Sequence, residues 1–363
     1  MSDAGVDVLI AGGGTGGHVF PALALGTELV SRGLRIAFVG SPSGLEARLV
    51  PAAGQPLHLI PGRQVRGGGM RGAAVGAVAL SRGLGSALRV LRRLRPRLVV
   101  GVGGYASVAG VLAARLRRIP VVLLEQNAIP GAANRALGRI AERICVGFAD
   151  ACGYFPGGRA VHTGNPVRPA VLAAPARVRR EGTGLLVFGG SQGAHHLNEA
   201  TVAALEELGP AARKLHITHQ TGEADRAWVA DAYGRLGLDA GVEAFVDDMG
   251  SAYAAADLVI ARAGAMSCAE ITAVGLPAVL VPYPFAADDH QRRNGEILAE
   301  AGAARLILDR ELDGPRLASV LRPLLEDPAT RAEMAARSRA FGRPQAAAHV
   351  AQVCAEVLGR RST

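Results

Sequence analysis

The segment VLIAGGGTGGHVFPALALGTELV, Val8 to Val30, is the part of the chain that decides the fold. Its first residues are apolar and partly β-branched, which predicts a buried strand, and Gly12 to Gly17 predict a tight turn. A helix is expected to begin near Pro21, because proline is favoured in the first helical turn. Glycines in such a turn let backbone N–H groups approach a phosphate or a sugar at the positive end of a helix.

The same arrangement occurs again in LLVFGGSQGAHHLNEA, Leu185 to Ala200. Around both segments, short apolar runs alternate with alanine- and leucine-rich amphipathic stretches, which is typical of βα units that build parallel sheets. The predicted strands are Val6–Ala11, Arg35–Val39, Leu98–Val102, Val121–Leu124 and Ile144–Val146, then Leu185–Phe188, His216–Thr218, Val242–Phe245, Leu258–Ala261, Ala278–Val281 and Arg305–Leu308. The fold class is therefore α/β, with two doubly wound, Rossmann-like domains that face each other across a cleft. Both glycine turns and the strand before Gly103 are expected to line that cleft.

Prolines mark the domain boundary. Pro166, Pro169 and Pro175 lie in an alanine-rich segment that predicts a linker, and Gln345–Leu358 is a predicted terminal helix. We expect an N-terminal domain over residues 1–165, a C-terminal domain over 166–341, and a last segment, 342–363, that packs back on the N-terminal domain.

The first glycine turn formally matches the GxGxxG pattern of dinucleotide-binding proteins, through Gly12, Gly14 and Gly17. A nicotinamide enzyme would also need an acidic residue at the end of the second strand to bind the ribose. Residues 39–41 are Val-Gly-Ser, so a dehydrogenase is the least favoured function, and the missing lysine excludes a Walker A loop.

Charge is distributed unevenly along the chain. Residues 1–171 contain 20 arginines against 7 acids, and no acid lies between Glu46 and Glu125. Since Tyr105 is the only aromatic residue in that interval, base stacking is not available and nucleic acid is not expected as a partner. The apolar segment Gly72 to Leu80 between Arg71 and Arg82 instead favours an anionic membrane surface, although an ordinary core helix with a solvated arginine face is the competing interpretation. The arginines of the interval from 63 to 97 are Arg63, Arg66, Arg71, Arg82, Arg89, Arg92, Arg93, Arg95 and Arg97.

No membrane span or export signal is expected. The uncharged run from Leu98 to Ala114 has 17 residues and is interrupted by glycines, and Asp3 and Asp7 occupy the start where a signal peptide needs positive charge. The four cysteines lie far apart, which predicts reduced and mostly buried thiols in a cytoplasmic protein.

Eight motifs, in order and over nearly the whole chain, resemble those of the MurG family of glycosyltransferases. They are GGTGGHVFPALA (Gly13–Ala24), GVGGYAS (Gly101–Ser107), LEQNAIPG (Leu124–Gly131), GNPVR (Gly164–Arg168), GGSQGA (Gly189–Ala194), DDM (Asp247–Met249), GAMSCAEITAVGLPAVLVPYP (Gly264–Pro284) and HQRRN (His290–Asn294). The resemblance implies a GT-B fold and inverting transfer of N-acetylglucosamine from UDP-N-acetylglucosamine to the 4-hydroxyl of the muramyl unit of lipid I, which gives lipid II for peptidoglycan. It also implies no cofactor and a peripheral position on the cytoplasmic face of the cell membrane.

On the donor side, the resemblance implies that Glu270 binds the ribose and that Arg168 offsets the charge of the diphosphate. Glu270 could also be only a favourable acid near a helix N-terminus, and Arg168 only a surface residue. The remaining donor-side residues implied are Ser191, Gln192, Val246, Ala265, Met266, Ser267, His290 and Gln291.

On the acceptor side, the resemblance implies contacts from Thr15, Gly16, Gly17 and Asn127. His18 is the candidate general base, because imidazole titrates near neutrality, and Glu125 is the second candidate catalytic group. A histidine that only positions the loop or the acceptor remains an alternative.

Some positions leave questions open. The pairs Asp247–Asp248 and Asp288–Asp289 could bind Mg²⁺, but paired surface acids are common and we expect no bound metal. Ala263, Ser267 and His290 depart from the family pattern, which bears on selectivity for the donor sugar. The alternatives are a UDP-N-acetylglucosamine 2-epimerase, a glycosyltransferase for another lipid or natural product, and a non-catalytic nucleotide-binding module.

Overall fold

The computed structural model describes residues 5–61, 70–173, 182–190 and 193–360. The chain forms two compact units, one made of Met1–Pro166 with Gln345–Thr363 and the other of Val167–Pro344. The first is called unit 1 and the second unit 2. Four residues named in the sequence analysis lie outside the described residues: Arg63, Arg66, Ser191 and Gln192. The side chains of residues 70–78 are not described either.

Unit 1 contains alternating strands and helices. Its strands are β1 (Val8–Ala11), β2 (Ile36–Gly40), β3 (Leu57–Leu59), β4 (Leu98–Gly101), β5 (Val121–Glu125), β6 (Arg143–Val146) and β7 (Ala160–His162). Its helices are α1 (Gly16–Ser31), α2 (Glu46–Ala52), α3 (Met70–Leu94), α4 (Tyr105–Leu116) and α5 (Ala132–Leu137).

Unit 2 repeats this alternation. Its helices are α6 (Pro169–Leu172), α7 (His195–Leu208), α8 (Arg226–Leu236), α9 (Met249–Ala255), α10 (Ala265–Val274), α11 (His290–Glu300), α12 (Gly314–Glu326) and α13 (Pro328–Phe341). Its strands are β8 (Thr183–Phe188), β9 (Leu215–Gln220), β10 (Asp239–Glu243), β11 (Leu258–Ala261), β12 (Ala278–Leu280) and β13 (Ala304–Leu306). The terminal helix α14 (Ala346–Gly359) returns to unit 1.

Both sheets are parallel and doubly wound. The described strands of unit 1 run in the order β3-β2-β1-β4-β5-β6-β7, and those of unit 2 in the order β10-β9-β8-β11-β12-β13. The strand order reverses between β1 and β4 in the first sheet and between β8 and β11 in the second. In open α/β sheets, ligands bind outside the carboxyl ends of the strands at such a reversal. The two glycine turns follow β1 and β8, so each lies at this point in its own unit.

The central strands are fully buried, and this explains why their sequences are continuous apolar runs without alternation. Val8–Ala11 and Leu98–Gly101 are buried at every position, and so are Val121–Glu125 and Leu258–Ala261. Helix α14 completes one face of unit 1, where Val350 and Cys354 are fully buried in a cluster with Ile10 and Leu25. All four cysteines are free, and three of them are buried, which confirms that most of the thiols are buried.

The predicted start of the first helix was wrong. Helix α1 begins at Gly16, five residues before Pro21, because the extended Thr15 offers its carbonyl to the N–H groups of His18 and Val19, each at 3.1 Å. These two hydrogen bonds close the first turn before the proline is reached. Pro21 lies within the helix, where its missing N–H leaves the carbonyl of Gly17 without its usual partner.

Two strands were missed, and one was displaced. Strands β3 and β7 lie at the two edges of the first sheet. Each has only three residues, with side chains half-buried or exposed, so neither has the continuous apolar run of a central strand. Strand β10, also at an edge, covers Asp239–Glu243 instead of Val242–Phe245. Its positions alternate between exposed and half-buried, so it contains no apolar run. Within the described residues, no helix is long and apolar enough to cross a membrane.

Candidate functional site

Two glycine turns meet at the reversal point of the first sheet. The N–H of Gly13, after β1, donates to the carbonyl of Gly103, after β4, at 3.2 Å. A Cβ on Gly104 would collide with the carbonyl oxygen of Gly13, and Gly104 has φ of +80°. Glycine is required at this position because the two turns pack backbone to backbone.

His18 lies on the first turn of α1, with Thr15 as the N-cap and Gly16 and Gly17 opening the helix. Its Nδ1 is 3.2 Å from the carbonyl oxygen of Gly13. A carbonyl only accepts hydrogen bonds, so Nδ1 carries the proton and, in the neutral ring, Nε2 carries the lone pair. The ring packs against Gly103, where an added Cβ would lie 2.6 Å from Nε2.

Glu125 is the last residue of β5 and is only 3% exposed. Its Oε1 accepts from the backbone N–H of Asn127 at 3.0 Å and from that side chain at 3.4 Å. Its Oε2 accepts from the N–H of Gly131 at 3.3 Å and from the amide of Asn134 at 2.9 Å. Burial raises the pKa of this carboxyl, and the hydrogen bonds from Asn127, Asn134 and Gly131 oppose that rise. Glu125 therefore organises the loop that presents Asn127.

In unit 2, the described flanks of the second glycine turn are held by a neutral side chain. The amide of Gln220, at the end of β9, donates to the carbonyl of Gly190 at 2.6 Å, and the N–H of Gly193 donates to the same carbonyl at 2.9 Å. A Cβ on Gly193 would collide with the carbonyl of Thr221, so Gly193 lies directly against the residue that follows β9. Helix α7 begins two residues later, at His195.

The structure brings Arg168 and Glu270 together, although 102 residues separate them in the sequence. Nε and Nη2 of Arg168 donate to Oε1 and Oε2 of Glu270 at 2.8 and 2.9 Å, which is a bidentate pair. The hydroxyl of Tyr253 also donates to Oε2, at 3.2 Å. Burial lowers the pKa of Arg168, but the hydrogen bond and the charge of Glu270 outweigh this effect and raise it. Glu270, the candidate ribose acid, and Arg168, the candidate diphosphate arginine, thus hold each other in one orientation.

The carboxyl end of β11 leads into helix α10 through Gly264, which is the N-cap. Ala265, Met266 and Ser267 form the first turn of this helix, and the first two are buried. Their N–H groups lie at the positive end of the helix dipole, where an oxygen-rich or anionic ligand is stabilised. Val246, between β10 and α9, is also buried.

Gln291 lies in the first turn of α11, and its Oε1 accepts from the N–H of Tyr283 at 3.0 Å. His290 begins the same helix, and its Nδ1 lies 2.6 Å from the carbonyl of Ala287. The helix start therefore ties the segment after β12 in place.

The acidic pairs Asp247–Asp248 and Asp288–Asp289 were considered above as candidate Mg²⁺ ligands. Within the described ranges, no group of three or more His, Cys, Asp or Glu side chains could hold a metal ion. Asp248 serves as the N-cap of α9 and accepts from the N–H and the hydroxyl of Ser251 at 3.0 and 2.6 Å. Asp288 and Asp289 have φ of +51° and +53° in the turn before α11.

Sequence reasoning missed several residues that support these groups. Tyr253 and Asn134 hold Glu270 and Glu125, and a third cluster links α7 to β9 through Asn198, His219 and Asp225. The partners of each lie 9 or more residues apart in sequence, so no local pattern could identify them. A polar residue inside an otherwise buried segment, such as His219 in LHITHQ, is the one signal available.

Comparisons with known proteins agree with this arrangement over almost the entire chain. Residues 8–146 match the Glycosyltransferase family 28 N-terminal domain, and residues 184–350 match the Glycosyltransferase family 28 C-terminal domain. A protein of Anaeromyxobacter sp. (strain Fw109-5) is 46% identical over 98% of this chain and 94% of its own length. It is named UDP-N-acetylglucosamine–N-acetylmuramyl-(pentapeptide) pyrophosphoryl-undecaprenol N-acetylglucosamine transferase.

Solved structures give the same result. The crystal structure of Acinetobacter baumannii MurG has a TM-score of 0.77 and 32% identity, and the match covers 97% of this chain and 99% of that one. A UDP-N-acetylglucosamine 2-epimerase has a TM-score of 0.68, with 95% of this chain and 94% of that chain covered, but at 15% identity it shows the shared fold alone. The fold is therefore of the GT-B type, with two Rossmann-like domains. On these grounds the chain belongs to glycosyltransferase family 28 and, within it, to the MurG family.

Proposed function

We propose that this chain transfers N-acetylglucosamine from UDP-N-acetylglucosamine to the 4-hydroxyl of the muramyl unit of lipid I, with inversion at the anomeric carbon. The product is lipid II, the precursor of peptidoglycan. The observation that carries the proposal is the match of 98% of the chain, at 46% identity, to 94% of a relative named for this transfer.

The donor is assigned to unit 2. The N-terminal turns of α7 and α10 both lie beside the reversal point of its sheet, and such turns stabilise the charge of a diphosphate. Glu270 accepts from the ribose hydroxyls through the acceptor sites that Arg168 and Tyr253 leave on its two oxygens, since a carboxylate offers about four. Arg168, held in one orientation by Glu270, adds positive charge near the leaving group. Gln291 forms hydrogen bonds with the sugar hydroxyls, and Val246 contacts the uracil through its backbone.

The acceptor is assigned to unit 1, with His18 as the general base. An inverting transfer is one in-line displacement: the acceptor oxygen bonds to C1 of the sugar while the bond from C1 to the UDP oxygen breaks. Nε2 of His18 removes the proton of the attacking hydroxyl, since the hydrogen bond from Nδ1 to Gly13 fixes the tautomer that makes Nε2 basic. Glu125, buried and fully hydrogen-bonded, positions Asn127 and the loop around it. UDP departs with its charge stabilised by the helix termini and Arg168.

The test is transfer of radiolabelled N-acetylglucosamine from its UDP donor to a short-chain lipid I analogue, with His18→Ala and Glu270→Ala alongside. We expect transfer by the wild type and a loss of about 10²–10⁴-fold in kcat for His18→Ala, which is the usual contribution of a general base. Glu270→Ala should weaken UDP-N-acetylglucosamine binding as well, whereas His18→Ala should leave it unchanged. A wild type that binds the donor but transfers nothing to this acceptor contradicts the proposal.

We also propose that unit 1 places the enzyme on the cytoplasmic face of the membrane as a peripheral protein. Arg82, Arg89, Arg92 and Arg93 are exposed on α3, while Ala87 and Leu91 of the same helix are buried in the core of the unit. Five further arginines, Arg115, Arg118, Arg139, Arg143 and Arg159, line a depression of about 590 Å³ in this unit. Such a concentration of positive charge attracts anionic lipid head groups.

Flotation with vesicles of phosphatidylcholine, with and without phosphatidylglycerol, tests this second proposal. The variant Arg82→Glu/Arg89→Glu should bind anionic vesicles at least tenfold more weakly, because each basic residue near the surface contributes about 1 kcal/mol. The matched control is Arg226→Glu/Arg235→Glu, which reverses two exposed arginines of unit 2 on α8. Equal binding to neutral vesicles, or equal losses in the two variants, contradicts the membrane surface.

A further inference from the structure

Glu46 is a buried acid for which the chemistry described so far has no role. It is the first residue of α2 and only 2% exposed. Its carboxylate lies against the first glycine turn, where Oε2 accepts from the N–H of Gly14 at 2.7 Å. Its Oε1 accepts from the N–H of Ser41 at 2.8 Å and from the hydroxyl of Ser41 at 3.1 Å.

Three glycines leave room for this carboxylate. A Cβ placed on Gly13, Gly40 or Gly44 would collide with the carboxyl group or the adjacent methylene of Glu46. The first of these lies in the turn after β1, the second is the last residue of β2, and the third lies in the loop after β2. The backbone is therefore shaped around one internal carboxylate, as elsewhere it is shaped around a bound anion.

The position of this carboxylate matters because glycine turns between a strand and a helix usually donate their N–H groups to a phosphate. In this turn the N–H of Gly14 already has an anionic partner, and a phosphate brought to the same N–H would meet the charge of Glu46 at close range. The described part of the second glycine turn differs, since a neutral amide, that of Gln220, contacts it.

The same contact fixes the residues that follow. Leu45, next to Glu46, donates its N–H to the carbonyl of Gly14 at 3.3 Å, so Gly14 is held through both its N–H and its C=O. Thr15 comes next, and its extended backbone caps α1 one turn before His18. A shift of Gly14 is therefore transmitted directly to the candidate base.

We propose that Glu46 is a positioning residue that takes the place of a bound phosphate in the first glycine turn. Its carboxylate keeps Thr15 to His18 in the conformation that receives the acceptor. The proposal rests on the assignment of the acceptor to this turn, which belongs to the proposed function.

Two conservative variants distinguish the effect of the charge of Glu46 from the effect of its side-chain length. Glu46→Gln keeps the length of the side chain but loses the charge and cannot accept from both Gly14 and Ser41, whereas Glu46→Asp keeps the charge but is one methylene shorter. The matched control is Glu142→Gln, an exposed acid of unit 1. Three quantities are measured: amide hydrogen exchange of the peptide covering residues 12–20, kcat and KM for the lipid I analogue, and the Kd of UDP-N-acetylglucosamine.

We expect both Glu46 variants to speed exchange in residues 12–20 by about tenfold, as the loss of one hydrogen bond to a charged group implies. The value of kcat/KM for the acceptor should fall by a similar factor, while the Kd of UDP-N-acetylglucosamine stays within about twofold and the control behaves as the wild type. Unchanged exchange in Glu46→Gln overturns the proposal, and so does a loss of donor affinity as large as the loss for the acceptor.

Ser41→Ala provides a second route if the Glu46 variants fold poorly, because it removes only the 3.1 Å hydrogen bond from the hydroxyl to Oε1. It should speed exchange in residues 12–20 about two- to threefold, and unchanged exchange again overturns the proposal. The exchange measurement needs no substrate. A wild type that fails to transfer therefore contradicts the proposed function, whereas the hold of Glu46 on the turn is decided by exchange alone.

Discussion

Buried acids organise the loops at the carboxyl ends of both sheets. The buried acids within the described part of the chain are Glu46, Glu125, Asp225 and Glu270. Burying a charge is costly unless it is hydrogen-bonded, and each of these carboxylates accepts from at least two groups. Removing one of them would leave several buried donors without partners. These residues therefore fix loop conformations more than they add net stability.

His219 gives a pH-dependent prediction at the same scale. It is fully buried, with Nδ1 2.7 Å from the hydroxyl of Tyr233 and Nε2 3.1 Å from Oδ1 of Asn198. Burial lowers its pKa from the ordinary value of 6.5 to about 3, against the opposing charge of Asp225. Between these two values the unfolded chain binds a proton that the folded chain does not. The free energy of unfolding should therefore fall with falling pH, by up to about 1.4 kcal/mol per pH unit from this group.

Urea unfolding of the wild type and His219→Gln between pH 7 and pH 5 measures this contribution. The variant should be less stable at pH 7 by about 1–3 kcal/mol, because the buried partners are paired less well. The difference between the two proteins should shrink as the pH falls below 6.5, since glutamine does not titrate. A constant difference over this range would mean that His219 binds protons alike in the folded and the unfolded chain, so that burial does not lower its pKa.

At the scale of elements, the sequence predicted the central strands, because a strand buried on both faces of a sheet has a continuous apolar sequence. The strands flanking the reversal points, such as Val8–Ala11 and Leu258–Ala261, are short apolar runs, and their positions were predicted within two residues. Leu57–Leu59 and Ala160–His162 were missed because an edge strand needs little apolar surface, so its sequence resembles a loop. The start of α1 was misplaced because backbone hydrogen bonds from Thr15 decide it, and no side-chain pattern records them.

The packing of the turn after β4 against α1 gives the second prediction. Gly103 has φ of +101°, and a Cβ there would lie 2.6 Å from the ring of His18. Gly103→Ala should therefore displace the imidazole and lower kcat for transfer at least about a hundredfold, the low end of the contribution of a general base. It should also lower the free energy of unfolding by about 1–3 kcal/mol, because alanine is strained at this φ.

Gly54→Ala is the matched control for Gly103→Ala. Gly54 has φ of +70° with no atom within 4 Å of an added Cβ, so the substitution introduces backbone strain without a collision. Steady-state transfer assays and urea unfolding on both variants separate the two effects. Similar losses of kcat in both would show that strain, and not contact with His18, limits the reaction.

At the scale of the whole molecule, the two units share one design, with a glycine turn after the first strand of each sheet and a reversal of strand order beside it. This much could be predicted from the sequence, because each turn is a local pattern. The pairing of Arg168 with Glu270 could not, since it depends on contacts between residues 102 positions apart. Family resemblance named both residues, but only the folded chain places one against the other.

The chain path predicts how the units depend on each other for stability. Helix α14 follows unit 2 in sequence but buries Val350, Cys354 and Val357 in the apolar cluster of unit 1. Val350→Ala removes two methyl groups from a fully buried site and should lower the stability of unit 1 by about 1–3 kcal/mol. Unit 2 should keep its stability and its affinity for UDP-N-acetylglucosamine, because its own core contains no residue of this helix.

Hydrogen exchange under native conditions distinguishes the units in one experiment. Peptides that cover β1 and α1 should lose protection in Val350→Ala, whereas peptides that cover β8 and β11 should not. Gln352→Ala, an exposed change on the same helix, should leave both sets unchanged. If β8 and β11 lost protection together with β1, the two units would unfold as one cooperative body, and the last helix would then stabilise the donor-binding unit as much as the one it packs on.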